Sequence, residues 1–234
     1  MTAALTSGGD MWTAGPSHHL SDDMLLDYAA GSLDEATGLI VATHLTYCAA
    51  CRKRAARLDA LGGAMLHDVA PAGMSPGALN AVMARLDKGT SEGSAPVRKD
   101  AAPANDNPQV PAVLRRYLGG DLDGVTWKNV GMGVQTSEIA IASPAKRAFL
   151  LRVPAGKAVP HHTHAGNEYV LILRGAYNDE IGRFARGDMA ISDGSIRHQP
   201  VAEPDEDCIC LVVVDAPIRL TGPLGAILNL FVKV

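Results

Sequence analysis

Residues 88–109, KGTSEGSAPVRKDAAPANDNPQ, carry hardly any large apolar side chain and are rich in Pro, Gly, Ser, Asp and Asn. A stretch of that composition cannot bury enough surface to offset the entropy lost on ordering, so it reads as a flexible linker. It divides the 234-residue chain into residues 1–87 and 110–234, a length that suits two small domains. The periodicity of apolar residues also changes across it. Before the linker they recur at helical spacing; after it they fall in short runs such as RAFLLRVP, EYVLILRGAY, DMAISD and CICLVVVD, separated by Gly, Pro and Asp. The expected architecture is a small helical bundle followed by an all-β barrel or sandwich.

In the first half, Ser21-Asp22-Asp23 offers a cap for a short helix over Met24–Ala30, which Gly31 ends. Asp34 can cap a second, longer helix that runs through Ile40, His44 and Leu45 to Leu58 or beyond. Ser75-Pro76 begins a third, with Leu79, Val82, Met83 and Leu86 at helical spacing. Such a stripe is ordinarily core, and on a helix this short it can instead be buried against a partner.

His44, Cys48 and Cys51 stand at i, i+4 and i+7 of the long predicted helix, so their side chains share one face. Two thiolates with imidazole nitrogen suit tetrahedral zinc, and a fourth ligand must close the shell. His18 and His19 are the upstream candidates, and either would staple its segment onto the long helix. The plain alternative is two buried cysteines beside a surface histidine. His67 has no such neighbours and reads as a surface or core residue.

In the second half, Gly156, His162, His164, Glu168 and Gly175 occupy every fixed position of G-x5-H-x-H-x3-E-x6-G, the first motif of the cupin barrel. His162 and His164 alternate along a strand and so point to one side, and Glu168 follows from the next strand. The second motif, from Gly187 to His198, supplies a fourth ligand. It departs from the usual pattern at Asp193, Ser195 and Ala202, where Pro, Gly and Asn are expected, and this puts the local turn in question. Three histidines and a carboxylate suit zinc, manganese, iron or nickel, so spacing does not name the metal. His161 falls off the alternation and is expected to face outward. Cys208 and Cys210 share one side of a strand, as small hydrophobes, redox-active thiols or extra ligands. Glu203, Asp205, Glu206 and Asp207 read as a solvated acidic turn.

The segment HHLSDDMLLDYAAGSLDEATGLIVATHLTYCAAC resembles the zinc-binding domain of ChrR-type anti-sigma factors, which carry a histidine, a gap and then HxxxCxxC. That family also ends in a zinc-binding cupin, so the two motif sets occur here in the same order and cover nearly the whole chain. The resemblance implies that the first ligand is the second histidine of the pair, giving His19, His44, Cys48 and Cys51 as a closed structural zinc site. It implies a helical domain wedged into an extracytoplasmic-function sigma factor, covering the surfaces that bind core RNA polymerase. The cupin is then expected to sense oxidative damage, singlet oxygen or organic hydroperoxide, with His162, His164, Glu168 and His198 as its metal ligands. Two zinc ions per chain are expected.

Charge and composition limit the other functions. The net charge of −4 leaves no basic surplus for phosphates, so direct nucleic-acid binding is not expected. The basic run Arg52-Lys53-Arg54 with Arg57 reads as a solvated helix side. The N-terminus lacks the basic-then-apolar pattern of a secretory signal, and no stretch reaches the ~20 apolar residues of a membrane span. Cytoplasmic residence is therefore expected, where four cysteines suggest metal or redox chemistry rather than a disulfide framework. The competing reading is a metal-dependent cupin enzyme of dioxygenase or isomerase type, with the helices as a docking module. No further acid or base can be placed in its pocket from sequence, and the expectation is that the chain is not an enzyme.

Overall fold

The computed structural model describes residues 15–88, 109–143 and 145–220. Most of the expected linker, residues 89–108, lies outside the described residues, as do the two chain ends.

The first helix, α1 (Asp22–Ala29), begins where Ser21 Oγ accepts the Met24 amide at 3.2 Å, and the chain leaves it through Gly31 at φ +68°. Asp34 caps α2 (Glu35–Tyr47), its carboxylate accepting the Ala36 and Thr37 amides at 3.0 and 3.1 Å. The single long helix expected from Asp34 is in fact two. Cys48 leaves helical geometry at φ −101°, ψ 103°, and α3 (Ala49–His67) starts afresh with Cys48 as its cap, the sulfur accepting the Cys51 amide at 3.3 Å. After α4 (Ala78–Asp87) and α5 (Ala112–Leu118) the chain turns to strands.

Twelve strands are described: β1 (Lys128–Gly131), β2 (Val134–Ile139), β3 (Arg147–Val153), β4 (His162–His164), β5 (Glu168–Arg174), β6 (Ala176–Asn178), β7 (Arg183–Ala185), β8 (Met189–Ser192), β9 (Arg197–His198), β10 (Val201–Ala202), β11 (Cys208–Val214) and β12 (Ile218–Leu220). They pair antiparallel in a six-stranded sheet ordered β1-β2-β3-β11-β5-β8 and two three-stranded sheets, β10-β6-β7 and β12-β4-β9. This is the barrel expected of the second half.

The central strand β11 explains its own sequence. CICLVVV is buried at every position because both faces are covered. Cys208, Cys210, Val212 and Val214 join Phe149, Val170, Ile172 and Phe184 in the barrel interior. Ile209, Leu211 and Val213 face outward and pack in one apolar cluster with Leu39, Ile40 and Val41 of α2 and Leu25 of α1. Helix α2 is therefore buried nearly all round, between the other helices and the barrel wall.

Polar contacts fix both ends of α2 on the barrel side. Lys146 Nζ lies 2.8 Å from Asp34 and 2.6 Å from Thr37 Oγ1, and Tyr117 donates to Glu35 at 3.0 Å. Burial alone would push the Asp34 carboxyl up, but the Lys146 ammonium and the Thr37 hydroxyl and amide hold it well below the usual carboxylate range. At the other end, Arg186 lies over the Tyr47 ring, 5.3 Å from its centroid.

By contrast, α4 buries no side chain at all. Leu79 and Leu86 are 69% and 68% exposed, with Val82 and Met83 half exposed beside them. At the end of α3, Leu61, Met65 and Leu66 are also exposed. His67 is exposed at the end of that helix, as are Arg52, Lys53 and Arg57 at its start. Arg54 instead turns back to Asp22 and the Leu20 carbonyl. Among the described residues, no helix is long and apolar enough to cross a membrane.

Candidate metal centres

The break at Cys48 builds the first centre. His44 sits in the last turn of α2, Cys48 at the break and Cys51 in the first turn of α3, while His19 reaches in from the segment before α1. One ligand atom from each of the four lies within 4.8 Å of the others. His19 Nδ1 is 3.2 Å from Cys48 Sγ and 3.8 Å from Cys51 Sγ. Tetrahedral zinc with metal–sulfur bonds near ~2.3 Å spaces such atoms by roughly 3.3–3.8 Å. The helix break, rather than one continuous helical face, is what lets these side chains converge.

His44 tests the fit of a metal. It is fully buried, and its Nδ1 lies 2.8 Å from the Gly187 carbonyl, a bond that needs the proton on Nδ1. Its Nε2 is then a lone-pair acceptor, buried and without a hydrogen-bond partner. Such an orphaned acceptor is costly unless something electrophilic meets it, and an ion held by the two sulfurs would do so. Burial also pushes the imidazole down, keeping it neutral, and pushes the Cys51 thiol up, so a metal must displace its proton. His18 turns the other way, its ring tilted against Phe184 of the barrel with centroids 4.2 Å apart, and only His19 joins the group.

The second centre lies inside the barrel. His162 and His164 come from β4, His198 from β9 directly opposite His162, and Glu168 from the start of β5. His198 Nε2 is 3.1 Å from His162 Nε2 and 3.2 Å from His164 Nε2, and all four residues are buried. Two tautomers are fixed from behind. His162 donates Nδ1–H to the Pro160 carbonyl and His198 to Asp179 Oδ2, both at 2.8 Å, so both Nε2 lone pairs point into the group. Burial first, and then the neighbouring imidazoles, push His162 down to about 4; burial does most of the same for His164, also to about 4. Burial raises Glu168 to about 7. A buried carboxyl facing neutral imidazoles lacks a positive partner, and a divalent cation is what this donor set would accept.

Sequence spacing did not reveal Asp179. It lies in the turn after β6, and only the fold brings its nearly inaccessible carboxylate behind His198. The unusual second motif is repaired locally, since the Asp193 carboxylate accepts the Ser195 amide at 2.8 Å and closes the turn without Pro or Gly. His161 faces outward, 3.5 Å from Glu180. Cys208 and Cys210 face the interior with sulfurs 3.6 Å apart. The Cys208 hydrogen bond and burial push the Cys210 thiol well up, which keeps it protonated. Both line a cavity of about 270 Å³ with Val134, Phe149, Val170 and Tyr177, and His162, Glu168 and His198 form its polar end. The acidic turn is more engaged than expected: Glu203, Glu206 and Asp207 pair with Arg183, Arg174 and Arg152.

Fold and sites together define a two-part protein with two groups able to hold a metal ion, a helical unit with a His2Cys2 group packed on a cupin with a His3Glu group. Residues 117–216 match the family described as the ChrR cupin-like domain. Over 217 residues the chain is 42% identical to the anti-sigma-E factor ChrR of Cereibacter sphaeroides, covering 93% of this chain and 98% of that one. Its structure is similar to that of the anti-sigma ChrR in a complex with Rhodobacter sphaeroides SigE, at 43% identity and a TM-score of 0.73, covering 85% of this chain and 98% of that one. The chain belongs to the ChrR family of anti-sigma factors, and so stands among regulators rather than enzymes.

Proposed function

We propose that this chain is a cytoplasmic anti-sigma factor whose residues 1–87 bind an extracytoplasmic-function sigma factor and keep it from core RNA polymerase. The observation that carries this reading is α4, a helix with an apolar stripe and no buried side chain. An exposed apolar surface of that extent suits a protein partner. The similar ChrR structure, solved with SigE, supports a sigma factor as that partner.

Zinc held by His19, His44, Cys48 and Cys51 would staple the helices in the binding shape. Residues 88–109 tether this domain to the cupin, residues 110–234, where His162, His164, Glu168 and His198 hold a second metal, zinc on this reading. Oxidative stress, as singlet oxygen or organic hydroperoxide, acts through the cupin to release the sigma factor. The apolar cavity beside the second centre gives a small apolar oxidant a place to approach it.

The test is co-expression with the extracytoplasmic-function sigma factors of the same genome. A zinc-containing complex that is lost on Cys48→Ser or Cys51→Ser supports the reading. Failure of every such sigma factor to co-purify with the full chain refutes it. Replacing both His162 and His164 by Ala in the full chain should leave the complex intact but abolish its release by hydroperoxide; an unchanged response would remove the second centre from the sensing role.

A further inference from the structure

The turn between β7 and β8 belongs to the barrel, yet it touches the first metal centre at two points. The Gly187 carbonyl holds His44 Nδ1 at 2.8 Å, which fixes both the tautomer and the direction of Nε2. The next residue, Asp188, is buried and turns its carboxylate toward the segment carrying His19. Its Oδ1 accepts the Ser17 and His18 amides at 2.6 and 2.9 Å, and the Met189 amide donates to the His18 carbonyl at 3.3 Å. The approach is too close for a side chain at Gly187. A Cβ there would lie 2.8 Å from Pro16 Cγ and 3.0 Å from Tyr47 Cβ, and the backbone sits at φ +89°.

We propose that Gly187 and Asp188 are positioning residues of the first centre, so that the barrel sets how tightly the helical domain keeps its metal. The proposal rests on the reading of that centre as a metal site. Two of the four ligands, His44 and His19, would be oriented by the barrel turn, while Cys48 and Cys51 are oriented by the helices. The turn is in turn held by β5, where Gly187 donates to the Ile172 carbonyl at 2.8 Å and Ile172 to that of Asp188 at 3.2 Å. Glu168 of the second centre opens the same strand, four residues from Ile172. The two centres thus share one short piece of backbone.

The experiment uses the full chain loaded with cobalt(II). Thiolate-to-cobalt charge transfer reports the first centre, since the His3Glu group contains no sulfur. The readout is the rate at which that band is lost to excess EDTA. Asp188→Ala removes the acceptor for the His19 segment, and Gly187→Ala wedges the two parts apart. Each is expected to speed the loss about ten-fold or more, the usual scale for groups that orient a ligand from behind. Asp207→Ala is the control, removing a barrel carboxylate whose partners, Arg152 and the Ala155 amide, also belong to the barrel. Its rate should stay within about two-fold of the unmodified chain, and cobalt retained at the second centre shows that each variant still forms the barrel.

Rates for both Asp188→Ala and Gly187→Ala within two-fold of the unmodified chain would overturn the proposal. So would an Asp207→Ala rate as fast as theirs, which would reduce the effect to general loosening of the barrel. A missing charge-transfer band in the unmodified chain would instead sink the reading of the first centre as a metal site.

Discussion

Two residues each carry more than one task, and their variants separate the tasks. Asp34 caps α2 and holds Lys146 of the barrel side. Asp34→Ala is expected to cost about 1–2 kcal/mol in a denaturant melt at pH 7, the scale of a lost cap with a partly screened ion pair. Because its folded pKa lies below the usual 3.8, that contribution is present above pH 3.8 and is lost as pH falls further. The difference between Asp34→Ala and the unmodified chain should therefore shrink steadily when the melts are repeated below pH 3.8. Cys48 is at once a proposed ligand and the cap of α3. A serine oxygen can cap but binds zinc poorly, so metal-free Cys48→Ser should be more stable than metal-free Cys48→Ala by about 1 kcal/mol. Equal melts of the two metal-free variants would deny the sulfur its capping role.

Among the elements, those set by local chemistry were readable before the fold was known. Ser21 and Asp34 cap as their residue types predict, and the alternation of His162 and His164 placed both inside the barrel. The break at Cys48 was not legible, because cysteine neither ends helices nor has the features of a usual cap; the thiol acts as one only where chain and sulfur are held together. Nor did spacing reveal Asp179 or the 187–188 turn, whose partners lie 19 and more than 140 residues away in sequence. The α4 stripe was legible as apolar but not as exposed, since periodicity says which side is apolar and not what covers it. Replacing Leu79 or Leu86 by Asp should abolish sigma-factor capture and leave the thermal melt of the free chain within about 0.5 kcal/mol, as for surface changes. A large loss of stability would mean that α4 is buried within the chain in solution.

For the molecule as a whole, two donor sets of different chemistry predict a definite metal count. Elemental analysis of the purified chain should give two ions, with one remaining after Cys51→Ser and one after Glu168→Gln. A single ion in the unmodified chain would leave one of the proposed centres unfilled. Retention of two ions in Glu168→Gln would show that the three histidines suffice for the second.

The burial of α2 on two sides also bears on how the protein is made. The ribosome completes α2 about 170 residues before the end of β11, the strand that covers its outer face. At ordinary rates of synthesis that interval lasts on the order of ten seconds or longer. During it Leu39, Ile40 and Val41 have no barrel to meet, so a nascent helical domain needs temporary shelter. Chains arrested near residue 120 should accordingly be cut within α2 by a protease that spares the finished protein, and resistance at that stage would show that the helices fold without the barrel.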